Sequence, residues 1–96
     1  MSNPTKAERR HMDRVASMHC ICCYAMGTVN DSPVHVHHIR EGQGMSQRAS
    51  NFLTIPLCPD CHQGKNGIHG DRTYMNIAKV TELDLLAMTI ERMTNG

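Results

Sequence analysis

Ninety-six residues, 40% hydrophobic but only 3% aromatic and without Trp, allow one domain with a small core. So short a chain with so few large rings is expected to need a metal or another staple. Five cysteines, an odd count with Cys22 and Cys23 adjacent, argue against a disulfide framework. The polar stretch Met1–Arg14 shows neither a signal-peptide nor a membrane-spanning pattern. The thiols are therefore expected in a reducing cytosol, with a cytoplasmic location and no membrane partner, and there Cys-x-x-Cys pairs more often mean zinc. A net charge of +1 neither marks nor excludes a nucleic-acid binder. Lys6, Arg9, Arg10 and Arg14 still crowd one end, where a local basic patch can form against the acidic Glu82, Asp84 and Glu91 of the other.

In chain order, Thr5-Lys6-Ala7-Glu8 matches a capping box, with Thr5 as N-cap and Glu8 reaching back. A helix over about residues 5–18 follows, with Met12, Val15 and Met18 on one face. Residues 24–33 carry Gly27, Asn30, Asp31, Ser32 and Pro33 and read as a loop. Val34–Ile39 and Phe52–Pro56 are short strand candidates that form a hairpin around a long polar loop, Arg40–Asn51. Pro56 is expected to end the second strand. Gly64, Gly67 and Gly70 break any helix over residues 62–71, Asp71 is placed to cap a short helix over residues 72–79, and Thr81 to open the last. In that last helix Leu83, Leu86, Ala87, Ile90 and Met93 recur at i, i+3, i+4, i+7 and are expected to face the core or a partner.

Two Cys-x-x-Cys pairs, Cys20/Cys23 and Cys58/Cys61, bracket the hairpin. Zinc favours tetrahedral thiolate sets, and a Cys-x-x-Cys turn lets two sulfurs reach one ion. These four cysteines are expected to hold a structural Zn2+, with Cys22 left as a small buried hydrophobe. Seven histidines form the second signal, because His37, His38, His62 and His69 flank the pairs. Neutral imidazoles can hold a divalent ion with positions open for water and phosphate. An imidazole can also take a proton from water near neutral pH. Strict strand alternation sends His37 and His38 to opposite faces, so both can serve one phosphate only if the strand ends or bulges there. Arg48 and Lys65, in glycine-containing loops, are candidates for contact with DNA phosphate.

Cys20-x-x-Cys23, His37-His38-Ile39 and Pro56-Leu57-Cys58-x-x-Cys61-His62 with His69 resemble the HNH (ββα-metal) endonuclease superfamily. Gly42-Gln43-Gly44-Met45-Ser46-Gln47-Arg48-Ala49-Ser50, Thr54-Ile55-Pro56-Leu57-Cys58 and Gly67-Ile68-His69-Gly70 are similar to the phage recombination-enhancement, RecA-dependent nucleases. The resemblance spans roughly residues 20–71. It implies a DNA endonuclease or nickase using Mg2+ or another divalent cation, with a RecA filament as a partner. It assigns His37, His62 and His69 to the catalytic metal and His38 to the general base. Two positions depart from the superfamily pattern. Its middle asparagine falls at Leu53, with Asn51 two residues early, and the His62–His69 spacing is long, which leaves Asn66 as a substitute ligand.

The expected architecture is a small α+β domain over residues 1–96, with an N-terminal helix, a zinc and nuclease core over 20–71 and C-terminal helices over 72–94. The competing reading is a non-catalytic zinc module that binds DNA or protein. The histidines outside the cysteine set favour the enzyme.

Overall fold

The structure, a computed structural model, describes residues 3–44 and 47–95. Met45 and Ser46 of the polar loop motif lie outside it. The element order is α1 (Lys6–Ala16), α2 (Ile21–Ala25), β1 (His35–His38), β2 (Thr54–Leu57), α3 (Pro59–Gln63), α4 (Thr73–Ala78) and α5 (Glu82–Asn95). The two strands form an antiparallel hairpin flanked by helices, which is the expected α+β class. The helix α1 packs against both strands, while α2 and α5 pack against each other and against β2.

The capping box that opens α1 is present. Thr5 Oγ1 accepts from the Glu8 backbone N–H at 3.1 Å, and Glu8 Oε1 accepts from the Thr5 N–H at 2.7 Å. The pairing register is His35↔Leu57, Val36↔Pro56, His37↔Ile55 and His38↔Thr54. Pro56 lies inside β2 rather than ending it, and the register explains why. Ile39 N–H donates to the Leu53 carbonyl at 3.1 Å, so pairs two and four residues away are the hydrogen-bonded ones. Pro56 then falls at a position where no ladder N–H is required.

The core gathers all five cysteines with Ile21, Ile39, Ile55, Leu57, Ile68, Met75, Leu85 and Leu86. Three local expectations are corrected. Residues 21–25, read as knuckle and loop, form the short helix α2, capped by the Cys20 sulfur. Asp71 does not cap α4: its N-cap is Arg72, held at φ 57° without a side-chain cap. In α5 the buried residues are Glu82, Leu85, Leu86 and Thr89, while Leu83 and Ile90 are 48% and 46% exposed. The apolar stripe on which the helix was phased therefore faces largely outward. The cause is Glu82, whose carboxylate is drawn inward by four polar groups described below.

The glycines of residues 64–70 shape the site. After α3 the chain folds back on it: Ile68 N–H donates to the Cys61 carbonyl at 2.8 Å and His69 N–H to the His62 carbonyl at 3.1 Å. That return is possible because Gly67 lies flat on α3. A Cβ there would stand 2.5 Å from the Asp60 carbonyl oxygen and 2.6 Å from that of Cys61. Gly67→Ala should cost about 1–3 kcal/mol, the range for forced overpacking. It should also part His69 from His62. Thermal unfolding together with divalent-ion titration of the histidines checks this, and wild-type behaviour in both would contradict the packing argument.

Candidate functional site

Cys20, Cys23, Cys58 and Cys61 come together, all buried, with their Sγ atoms within 4.8 Å of one another. Each pair sits at a helix start. Cys20 Sγ accepts from Cys23 N–H and Cys58 Sγ from Cys61 N–H, both at 3.4 Å. All five cysteines are free thiols. Cys23 Sγ lies 3.9 Å from Cys58 Sγ and 3.6 Å from Cys61 Sγ. A tetrahedron with Zn–S bonds of about 2.3 Å has edges of roughly 3.8 Å. The sulfurs thus have the identity, burial and spacing of a four-thiolate metal site, and the group could bind a metal such as zinc. Cys22 is buried in the core but outside that set. Burial pushes the Cys23 thiol up to about 11, and a hydrogen bond with Cys61, followed by burial, pushes the Cys20 thiol up as well. Without metal Cys20 and Cys23 therefore stay protonated, and binding a metal through their thiolates must release protons.

His37, His62 and His69 form a second group with ligand atoms within 4.8 Å. Their rings meet edge to face or tilted, with centroids 4.8–5.1 Å apart. His37 is 4% exposed and stands on β1, His62 on α3, and His69 on the returning loop. His62 is held well below the ordinary imidazole value, at about 4, by burial and then by His37, His69 and His35 beside it. His69 is lowered by burial and by His37. His62 and His69, crowded beside a third imidazole and resisting protonation, suit a cation whose positive charge stands where protons are disfavoured.

Two neighbours that the sequence reading did not assign a role hold this trio. His37 Nε2 lies 2.9 Å from Glu82 Oε2, both residues almost fully buried. Burial alone would raise the Glu82 carboxyl. Hydrogen bonds from His37 and from the Arg40 and Glu41 backbone N–H groups, at 3.1 and 3.0 Å, outweigh it and leave the carboxyl below its usual value. Arg72 stands 3.8 Å from its other face. An ionised carboxylate only accepts, so His37 Nε2 carries the proton and Nδ1 is left for a ligand. His35, which opens β1, places Nδ1 2.8 Å from His62 Nδ1.

His38 is the last residue of β1 and half-buried. It lines the same groove, of about 470 Å³, as His37, His62, His69, Arg40 and Arg48. The strand ends there, which meets the condition that alternation imposed. His38 Nε2 lies 2.8 Å from Asn51 Oδ1, and Asn51 Nδ2 donates to Glu8 Oε2 at 3.1 Å. An Arg48 guanidinium nitrogen lies 3.1 and 3.4 Å from the two ring nitrogens of His38. Leu53 is not among the residues lining the groove, whereas Asn51 reaches the His38 ring. Asn66 sits by the Tyr74 hydroxyl and Lys65 is exposed; neither is among the residues lining the groove.

A family model described as recombination enhancement, RecA-dependent nuclease matches residues 4–84. The chain belongs to this family. Its match takes in both cysteine pairs, all four groove histidines, Glu8, Asn51 and Glu82. No curated protein matches the chain. No described helix is long and apolar enough to cross a membrane.

Two outcomes test the metal groups. Metal analysis of the purified protein should give one zinc held by four thiolates. Cys58→Ser should lose it and unfold, because site formation and folding are linked, whereas Cys22→Ser should keep both zinc and fold. Zinc loss in Cys22→Ser would show the ligand set to be wrong. For the histidines, NMR titration with the trio metal-free should place His62 near 4 rather than 6.5. A base lowered on folding disfavours the folded state in acid. Stability should therefore be complete above about 6.5 and fall as the pH drops toward 4. An ordinary His62 titration would contradict the clustering.

Proposed function

We propose that this member of the RecA-dependent nuclease family is a metal-dependent DNA endonuclease or nickase working by an HNH mechanism, with His38 as general base. Membership gives a nuclease role in recombination, with nucleic acid and RecA involved. The observation that carries the finer reading is the shared groove: a base candidate and a three-imidazole metal group open onto one cleft with two arginines. A four-thiolate zinc module has no use for that arrangement.

The residues divide the work by chemistry. His37, His62 and His69 would hold Mg2+ or another divalent cation; when bound, it supplies positive charge to the phosphate and to the departing oxygen. His38 takes the proton of the attacking water. The water oxygen bonds to phosphorus as the bond to the leaving oxygen breaks, and that oxygen takes up a proton from solvent. Asn51 keeps the His38 ring in place through its 2.8 Å hydrogen bond, and Arg48, exposed beside the ring, meets the phosphate. Cys20, Cys23, Cys58 and Cys61 hold the structural zinc. A RecA filament presents the DNA, and the reaction takes place in the cytosol of the bacterial host. The domain that does this is the whole chain, 1–96, with residues 20–71 as its core.

His38→Ala should keep zinc, fold and DNA binding while strand cleavage falls about 10²- to 10⁴-fold, the usual worth of a general base. His37→Ala should instead lose the divalent ion, with partial return of activity in excess metal. Plasmid nicking with and without EDTA, run beside metal titration, reads both. Wild-type cutting by His38→Ala would end the mechanism and leave the zinc-module reading in its place. Arg48→Ala should weaken DNA binding similarly across sequences and reduce the salt slope by about one. An unchanged slope would take Arg48 off the phosphate.

A further inference from the structure

Glu8 belongs to a helix cap, yet only one of its oxygens serves that cap. Oε1 accepts from the Thr5 N–H at 2.7 Å, and Oε2 accepts from Asn51 Nδ2 at 3.1 Å, a residue 43 positions away. The Thr5 backbone bond, with those of the Thr5 side chain and Asn51, holds the Glu8 carboxyl below its usual value, so it is an acceptor at both oxygens. An amide beside a carboxylate can present only its NH2 side to it. Asn51 is thereby oriented with Oδ1 toward His38, and the atom it meets there is Nε2, at 2.8 Å. A carbonyl oxygen accepts, so Nε2 must carry the ring proton.

Arg48 does not disturb this assignment. A donor on the lone-pair axis of one ring nitrogen would lie far from the other. Its nearly equal distances of 3.1 and 3.4 Å put it over the ring instead, where it uses up neither in-plane position.

We propose that Glu8 is a positioning residue for strand cleavage: it fixes the Asn51 amide, which fixes His38 as the Nε2–H tautomer and leaves Nδ1 to take the proton of the attacking water. The proposal rests on His38 being the base. It gives the capping box a second task, joining the first turn of α1 to the end of β1 through the long loop.

The test compares Glu8→Ala, Glu8→Gln and Thr5→Ala in the zinc-loaded full chain. It reads kcat and KM for plasmid nicking and the nitrogen-15 imidazole spectrum of His38 with the ring neutral. Thr5→Ala removes the hydroxyl from the cap but not the carboxylate from Asn51. It should lower thermal stability and leave kcat within about twofold. Glu8→Ala should leave KM alone and give His38 a mixture of both tautomers. Its kcat should fall roughly tenfold, between the twofold of a merely randomised tautomer and the ~10⁴ of a locked wrong one. Glu8→Gln has one acceptor oxygen for two donors and should lie between Glu8→Ala and wild type. Wild-type kcat in Glu8→Ala, or equal kcat losses in Thr5→Ala and Glu8→Ala, would overturn the proposal. So would an unmoved His38 spectrum. Altered tautomers in Glu8→Ala together with full activity in His38→Ala would separate the cases: the contact would stand, and the base assignment and the catalytic part of the proposal would fall together.

Discussion

A carboxylate with 1% exposure has to be compensated where it sits, and much of this fold is arranged around doing so for Glu82. Its four polar neighbours come from different parts of the chain: His37 from β1, the backbone of Arg40 and Glu41 from the following turn, and Arg72 from the start of α4. The carboxylate thereby ends the strand, turns α5 and fixes which nitrogen of His37 is protonated. Removing only one partner of such a buried pair leaves an uncompensated polar group, which is strongly destabilising. The contact therefore ties the folding of the C-terminal helix to the orientation of a candidate metal ligand.

The cysteine group makes the same connection from the other side. Cys61 and His62 are consecutive in α3, yet the sulfur enters the buried thiol cluster and the imidazole joins the histidine trio. The short α3, five residues long, has too little hydrogen bonding to persist alone. Its place is set by the thiols, by Tyr74 donating to Asp60 at 2.7 Å, and by the glycine-lined return of residues 64–70. Any ion held by the four sulfurs would position His62 without touching it.

The sequence made visible those features whose signal is local. Thr5 and Glu8 are three residues apart, and the Cys-x-x-Cys pairs declare themselves by spacing, so the cap, the knuckles and the hairpin between them were all legible. The phase of α5 was not. Periodicity weighs Leu83, Ala87 and Ile90 by hydrophobicity alone, whereas the helix is rotated by a charged residue whose hydrogen-bond partners lie more than forty positions away. The motif spacing pointed to Leu53 and set Asn51 aside as two residues early, because spacing along the chain does not say which side chain reaches His38. His35 and Glu82 carried no mark beyond their residue type, because their roles come from neighbours that only the tertiary fold supplies. Pro56 misled for a similar reason: its cost in a strand depends on whether the missing N–H faces the ladder, and only the register says so.

The distribution of polar contacts also bears on whether the groove is a catalytic centre or a second structural metal site. A purely structural site is closed, with every ligand buried and spoken for. The four thiols meet that description. The histidine group does not: His37 is buried but His69 is exposed, and the trio faces a groove that also holds two arginines and a histidine outside the ligand set. His38 is held by Asn51 yet left half-exposed at the rim. An enzyme that cuts a phosphodiester needs a ligand cluster with one open side and a base fixed in direction but reachable by water. The chain builds the closed site and the open one from consecutive residues of a single short helix, and the difference in exposure between them is the strongest argument for chemistry at the second.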